Sequence, residues 1–416
     1  MLAQKYSASG ASPFLAGAYA LLIVYGSLYP FSGWLPAGHM LAFLAAPWPR
    51  YIIRSDIIIN LLVYLPLGFL IARALRHRLR TSLAIIAATL LCLLLSLGME
   101  SLQALLPERV SSRLDLLLNG LGGLGGALLA GLVKNPPGPL RKLATLRREW
   151  FLPSRAMDLG LVALGLWALS QLSPLLLSLD TDSVRKGLLP LWTPGFPSPF
   201  NWLQLAAYIC AIAGLGLFAS MLARAGKNIS LPFIVFVGAV LLTKIFVMGP
   251  YLSLETAIGA AMGMVLGLTL HRAGRLLRSS LGAAFLLAGF ALAELEPAPG
   301  AIFIFPQPFN WTPFRGQMHN LAGFSEILSL FWPFLALGCL AAFATKPSQR
   351  RLAAVLGGLL VLAFMFPLEW QQQTIAGRKG DITDILLALG GWAIPWWRRI
   401  YTARGEAHGQ PGRTQP

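Results

Sequence analysis

Apolar runs of about twenty residues recur from Phe14 almost to the end of this 416-residue chain, and they limit its fold more than any other feature. Crossing the hydrocarbon core of a bilayer takes roughly 20 predominantly apolar residues per helix, because every backbone N–H and C=O must find its partner inside the segment. Only 12% of the residues are charged, against about 25% in soluble domains. Half the usual surface charge is missing, and the surface that lacks it must face lipid. Breaks at charged or Pro-rich stretches place helices near 14–30, 57–75, 82–104, 114–133, 157–179, 201–222, 231–249, 253–270, 281–296, 325–345, 352–368 and 383–397. The expected fold is an all-α polytopic membrane protein with about twelve transmembrane helices.

A net charge of +17 would suit a nucleic-acid binder if it were clustered on a soluble face. Here the basic residues sit in short loops between apolar runs, where they orient helices and meet anionic headgroups, so the bilayer is the expected partner and nucleic acid is excluded. Of the 33 Lys and Arg, 23 fall on one set of alternate connections and 9 on the other. Cytoplasmic loops keep the excess, which puts both termini in the cytoplasm of a bacterial inner membrane. The run from Phe14 to Tyr29 is followed by Pro30, Phe31 and Trp34 without a small-residue cleavage site, and reads as an uncleaved first helix. Cys92, Cys210 and Cys339 each lie within an apolar run, as small core residues. His77, His271 and His408 sit in basic loops and the tail, with no metal spacing and no cofactor motif nearby.

Three landmarks recur in order and suggest an internal repeat. An aromatic turn follows the first helix of each unit: Pro30 to Trp34, Pro199 to Trp202 and Pro308 to Trp311. A polar residue then precedes a glycine by twelve positions: Asp56 and Gly68, Gln204 and Gly216, Glu326 and Gly338. A polar step finally opens a Gly-rich fourth helix: Ser112 and Asp115, Ser253 and Thr256, Asp381 and Asp384. The basic linkers divide the chain into four-helix units at 1–140, 141–275 and 276–402, with 403–416 as a disordered cytoplasmic tail.

The third-to-fourth helix connection of the first unit holds Glu100, Gln103, Arg109 and Asp115, and that of the last holds Glu369, Gln372, Arg378 and Asp384, at identical intervals. Glu100 and Gln103 share a helix face. Arg109 is within reach of Glu100 or Asp115, on which a guanidinium could fork. Asn119 lies one turn below Asp115, and Asp56 with Asn60 at the start of the second helix could complete an exterior polar cluster. Ionisable groups at membrane depth usually line a cavity or pair with each other. The competing explanation is structural: Ser112 with Asp115 and Asp381 with Asp384 suit helix caps, and the arginine then pins the loop to the cap. The middle unit lacks the acid and the arginine; there Glu255 reads as a cap neighbour and Lys244 as a side chain snorkelling to the interface. Glycines at four-residue spacing on the fourth helices read as packing faces.

Ser55-Asp56 to Asn60 with Pro66-Leu67-Gly68, and Glu100, Gln103, Arg109, Asp115 and Asn119 leading into Gly122-Gly123, resemble the two motifs of the VanZ-like family. The likeness covers roughly 14–132 and returns over 324–397, where Leu330 and Ala388 replace the asparagines. The resemblance implies a cell-envelope role, in the setting of glycopeptide (teicoplanin) resistance or surface exopolysaccharide, and no reaction. The leading expectation is a non-enzymatic membrane protein whose exterior cluster binds an envelope component, such as a lipid-linked saccharide, cell-wall precursor or glycopeptide, or a partner protein. A transporter or flippase is the first alternative. An intramembrane transferase or hydrolase with Glu100 or Asp115 as base is the second.

Overall fold

The computed structural model describes residues 12–397 except 30, 32, 37, 39, 49–53, 77, 108, 135–137, 152–153, 174–179, 192, 194–199, 225, 248–250, 299 and 318–320. The tail at 403–416, with His408, and Lys5, Pro30, His77 and Pro199 lie outside the described residues. Among the described residues the chain forms fourteen α-helices and no β-strand. An α-helix lies at each of the twelve expected segments. These are α1 (Ser12–Leu28), α2 (Arg54–Leu75), α3 (Thr81–Gln103), α4 (Arg113–Lys134), α6 (Arg155–Gln171), α8 (Trp202–Leu222), α9 (Ser230–Lys244), α10 (Leu254–Leu270), α11 (Arg275–Glu294), α12 (Leu321–Ala344), α13 (Arg350–Gln372) and α14 (Ile382–Ala393). Seven of them, α2, α3, α4, α8, α11, α12 and α13, are long and apolar enough to cross a membrane; the others are shorter apolar helices.

Two further helices replace expected linkers. The segment α5 (Gly138–Trp150) carries Arg141, Lys142, Arg147 and Arg148, and α7 (Thr181–Leu188) reads TDSVRKGL. Both are too polar for an apolar-run criterion, yet their charged residues are good helix formers or suit the helix ends. Ser154 caps α6 by accepting the Met157 N–H, and Arg147 pairs with Asp158 in its first turn.

Two compact units divide the chain, one comprising Met1–Thr145 with Phe314–Gly323 and the other Leu146–Pro313 with Phe324–Pro416. In the first unit α4 lies closely on α2, because a methyl added at Gly122 or Gly126 would collide with the backbone oxygen of Leu61 or Leu65. Small residues at such a face let helix backbones approach in lipid, where there is no hydrophobic force between helices to exploit. The core residues Tyr64, Leu67 and Cys92 lie beside this contact. Outward, α3 exposes Leu83, Ile86, Leu90 and Leu94, a stripe that water would not tolerate and lipid does.

In the second unit α8 is the central element. Gly263 of α10 meets the Ile209 oxygen, and Gly289 of α11 meets Ala207 and Ala211 on the same helix, so two neighbours close on α8 at backbone distance. Residues 212–222 of α8 are accordingly buried throughout, with Phe218 and Leu222 in the main core. Farther along, Gly391 of α14 approaches the Phe331 oxygen of α12 in the same manner.

Candidate functional site

In the first unit three of the expected side chains, Glu100, Gln103 and Arg109, are used where the end of α3, the start of α4 and the end of α1 meet. Glu100 is 4% exposed, and its Oε2 accepts the Ser112 N–H at 2.8 Å. That N–H belongs to the residue just before α4, where backbone donors have no partner within the helix. Ser112 Oγ in turn accepts the Leu114 N–H at 3.1 Å. Gln103 Nε2 donates to the Ser27 oxygen at 2.9 Å, and Arg109 Nη2 to the oxygens of Gly26 and Tyr29 at 3.2 and 3.4 Å. These are the carbonyls at the C-terminal end of α1, which carry the negative end of the helix dipole and suit a cation. Arg109 therefore ties the loop to α1, a role not weighed in the sequence expectation of a fork onto Glu100 or Asp115.

The remaining members face each other across α2 and α4. Asn60 Nδ2 donates to Asp115 Oδ1 at 2.8 Å, and exposed Asp56, one turn earlier, acts electrostatically on the same carboxyl. Asn119 Nδ2 donates to Ser96 Oγ at 2.9 Å, while its Oδ1 is buried without a hydrogen-bond partner. At the rim the Arg113 guanidinium lies over the Trp48 ring, 4.2 Å from its centroid, a contact suited to the headgroup region.

The second unit builds a parallel arrangement from α11, α13 and α14. Glu369 is fully buried, and its Oε2 accepts the Asp381 N–H at 3.1 Å where Glu100 accepts that of Ser112. Asp381 caps α14 by accepting the Thr383 N–H at 2.8 Å and takes Asn310 Nδ2 on its other oxygen at 2.7 Å. Arg378 donates to the oxygens of Ala293 and Glu296 at 2.6 and 2.9 Å and pairs with Glu294 Oε2 at 3.1 Å. Gln372 Nε2 reaches Glu294 Oε2 at 3.0 Å and Glu369 Oε1 at 3.4 Å. Gly377, in the left-handed region at φ +71°, turns the chain so that Arg378 meets the end of α11. Asp384 is 4% exposed, and its Oδ1 has no hydrogen-bond partner.

Residues of the middle segment extend this network. Asn201 caps α8 by accepting the Leu203 and Gln204 N–H groups, donates its own N–H to Glu255 Oε1 at 2.9 Å and donates Nδ2 to Glu296 Oε1 at 2.6 Å. Burial pushes the Glu296 carboxyl up, with Arg378 opposing the rise and Glu255 adding to it. Glu255 is thus more than a cap neighbour, since it is buried and holds the start of a different helix. Lys244 does not snorkel: it is 9% exposed, and its Nζ lies 3.1 Å from the Tyr208 hydroxyl, which reaches Gln171 at 3.2 Å. A polar side-chain partner buried on α8 outweighs the distance to the interface.

Sequence reasoning missed Glu294 and Glu296 as partners of Arg378. Their signal was present in the Ala293-Glu294-Leu295-Glu296-Pro297 stretch, where two acids close an apolar helix. Asn201 and Asn310 lie inside the aromatic-turn landmarks, whose spacing carries no sign of their capping and bridging roles.

No curated protein and no solved structure matches the chain. Residues 15–134, which hold the first-unit cluster and nearly all of α1 to α4, match the family model described as VanZ/LLP1.

Proposed function

We propose that this is a non-enzymatic, multi-pass protein of the bacterial inner membrane that binds a polar envelope component, a lipid-linked saccharide or cell-wall precursor, at the outward ends of α2 and α4. The carrying observation is a division of labour within the VanZ/LLP1 domain. Glu100, Gln103 and Arg109 are spent on helix ends, whereas exposed Asp56 lies beside the Asn60–Asp115 pair with Arg113 and Trp48 at the rim. Acid, amide, guanidinium and an aromatic face together suit a hydroxyl-rich or phosphate-bearing headgroup. Both termini lie in the cytoplasm in this reading, and twelve helices cross the bilayer in three copies of one unit. Support for the copies comes from register. Gly122 on Leu61, Gly263 on Ile209 and Gly391 on Phe331 are equivalent contacts when the three segments are aligned on their polar landmarks.

The test uses the purified full-length chain and a fluorescent lipid-linked disaccharide. Binding should weaken at least about tenfold in Asp56→Asn/Asp115→Asn, the loss of more than one charge-assisted contact, with the melting temperature retained. A wild-type chain that ignores the saccharide sinks the reading. Transport or flipping is the second reading, favoured by the buried polar chain of Gln171, Tyr208 and Lys244 among apolar helices. Movement of the saccharide across liposomes containing the pure protein decides for it.

A further inference from the structure

Within the second unit one hydrogen-bonded chain joins Lys244 of α9, Tyr208 of α8 and Gln171 of α6. Lys244 Nζ donates to the Tyr208 hydroxyl at 3.1 Å, and that hydroxyl donates its own proton to Gln171 Oε1 at 3.2 Å. An ammonium has three N–H donors, so two remain on Lys244, and the Nε2 of Gln171 offers two more on the other side of the same hydroxyl. Two residues beyond Gln171, in the turn that ends α6, Ser173 is 6% exposed and its Oγ has no hydrogen-bond partner.

No negative charge answers these donors. Lys244 is only 9% exposed, yet among the described residues no carboxylate forms an ion pair with it. The acids at the start of α8 are engaged elsewhere, since Glu255 Oε1 accepts the Asn201 N–H and Glu296 Oε1 accepts the Asn201 amide. A buried cation is costly unless a negative group is placed against it. What the chain builds here is a set of donors lacking an acceptor of opposite charge.

We propose that Lys244 and Gln171 bind a phosphate group. Its several charged oxygens can accept from the ammonium and the amide together, through short charge-assisted hydrogen bonds. Depth favours the headgroup phosphate of a lipid or lipid-linked molecule over a soluble anion: Gln171 is the last residue of α6 and Lys244 the last of α9, and apolar helices end at the level of the headgroups. The site shares no residue with the one proposed at α2 and α4. Binding here requires no movement across the bilayer, so it stands whether or not the chain transports anything.

The test takes the purified full-length chain, stripped of lipid in detergent, and titrates it with phosphatidylglycerol or with inorganic phosphate. Bound lipid is read by native mass spectrometry and protection by the unfolding temperature. Wild type should retain one phosphatidylglycerol, which Lys244→Met weakens at least about tenfold, the loss of a hydrogen bond to a charged group. Lys244→Arg, which keeps the charge, should bind better than Lys244→Met, and Lys227→Met, which removes an exposed cation ahead of α9, should bind as wild type does. Protection by inorganic phosphate that depends on Lys244, with none from the lipid, supports the site and assigns soluble phosphate as its source. Equal lipid binding by Lys244→Met and wild type, no effect of either probe on wild type, or a marked fall in the lipid-free melting temperature of Lys244→Met, the sign of a structural cation, overturns the proposal.

Discussion

Glu369 accepts the backbone N–H of Asp381 through Oε2 at 3.1 Å, closing the end of α13 onto the start of α14. Glu100 closes α3 onto α4 through Ser112 at 2.8 Å. Replacing either acid by alanine leaves an N–H without an acceptor, half-buried at Ser112 and buried at Asp381, and should lower stability by about 1–3 kcal/mol. Glutamine, which keeps a carbonyl oxygen, should cost less. Thermal unfolding of the purified protein in detergent measures both, and equal melting temperatures for Glu100→Ala and wild type would contradict the capping role.

Removing Arg378 takes the cation from Glu294, whose side chain is 16% exposed, and leaves it the Gln372 amide as a donor. Arg378→Leu should cost about 2–3 kcal/mol, below the figure for a fully buried pair because the guanidinium retains contact with water. Glu294→Leu in the same chain should restore part of the loss. A double-mutant cycle with no coupling between the two positions would show that the guanidinium acts through the α11 carbonyls alone.

Backbone contact between α8 and α10 depends on Gly263, where an added methyl meets the Ile209 oxygen. Gly263→Leu should separate the helices at a cost of roughly 1–3 kcal/mol. Cysteines placed at matched positions on α8 and α10 should then cross-link more slowly than in the parent protein.

Because Glu296 lies beyond the end of α11 and its carboxyl is pushed up by burial, the folded state holds its proton to a higher pH than the unfolded chain does. Its ionisation therefore reduces stability as pH rises from about 4.5, the ordinary glutamate value, through the folded value. Stability should increase on acidification through that window, and Glu296→Gln should flatten the increase. Denaturation curves at a series of pH values, compared between the two proteins, make the check.

The proposed topology rests on the charge bias and can be probed directly. In a chain whose Cys92, Cys210 and Cys339 are replaced by alanine, a cysteine at Val110, which is 88% exposed, should react with a membrane-impermeant maleimide on intact cells. One at Arg351 should react only after lysis. The reverse pattern would place the first-unit cluster in the cytosol.

The apolar runs located every membrane-length helix because their signal is summed over about twenty residues. The polar helices α5 and α7 escaped because they carry no such run. Equal spacing in the two Glu-x-x-Gln sets was legible and corresponds to equal geometry at Ser112 and Asp381. The destination of Arg109 was not, because a guanidinium that binds carbonyl oxygens leaves no trace in side-chain identities. Lys244 was misjudged for a related reason: Tyr208 lies 36 positions away, on a helix whose rotation the sequence does not specify.

Since both α10 and α11 rest backbone to backbone on α8, the middle stretch of the chain is a seat as well as a connection, and deleting it would leave α11 without the surface it is built against.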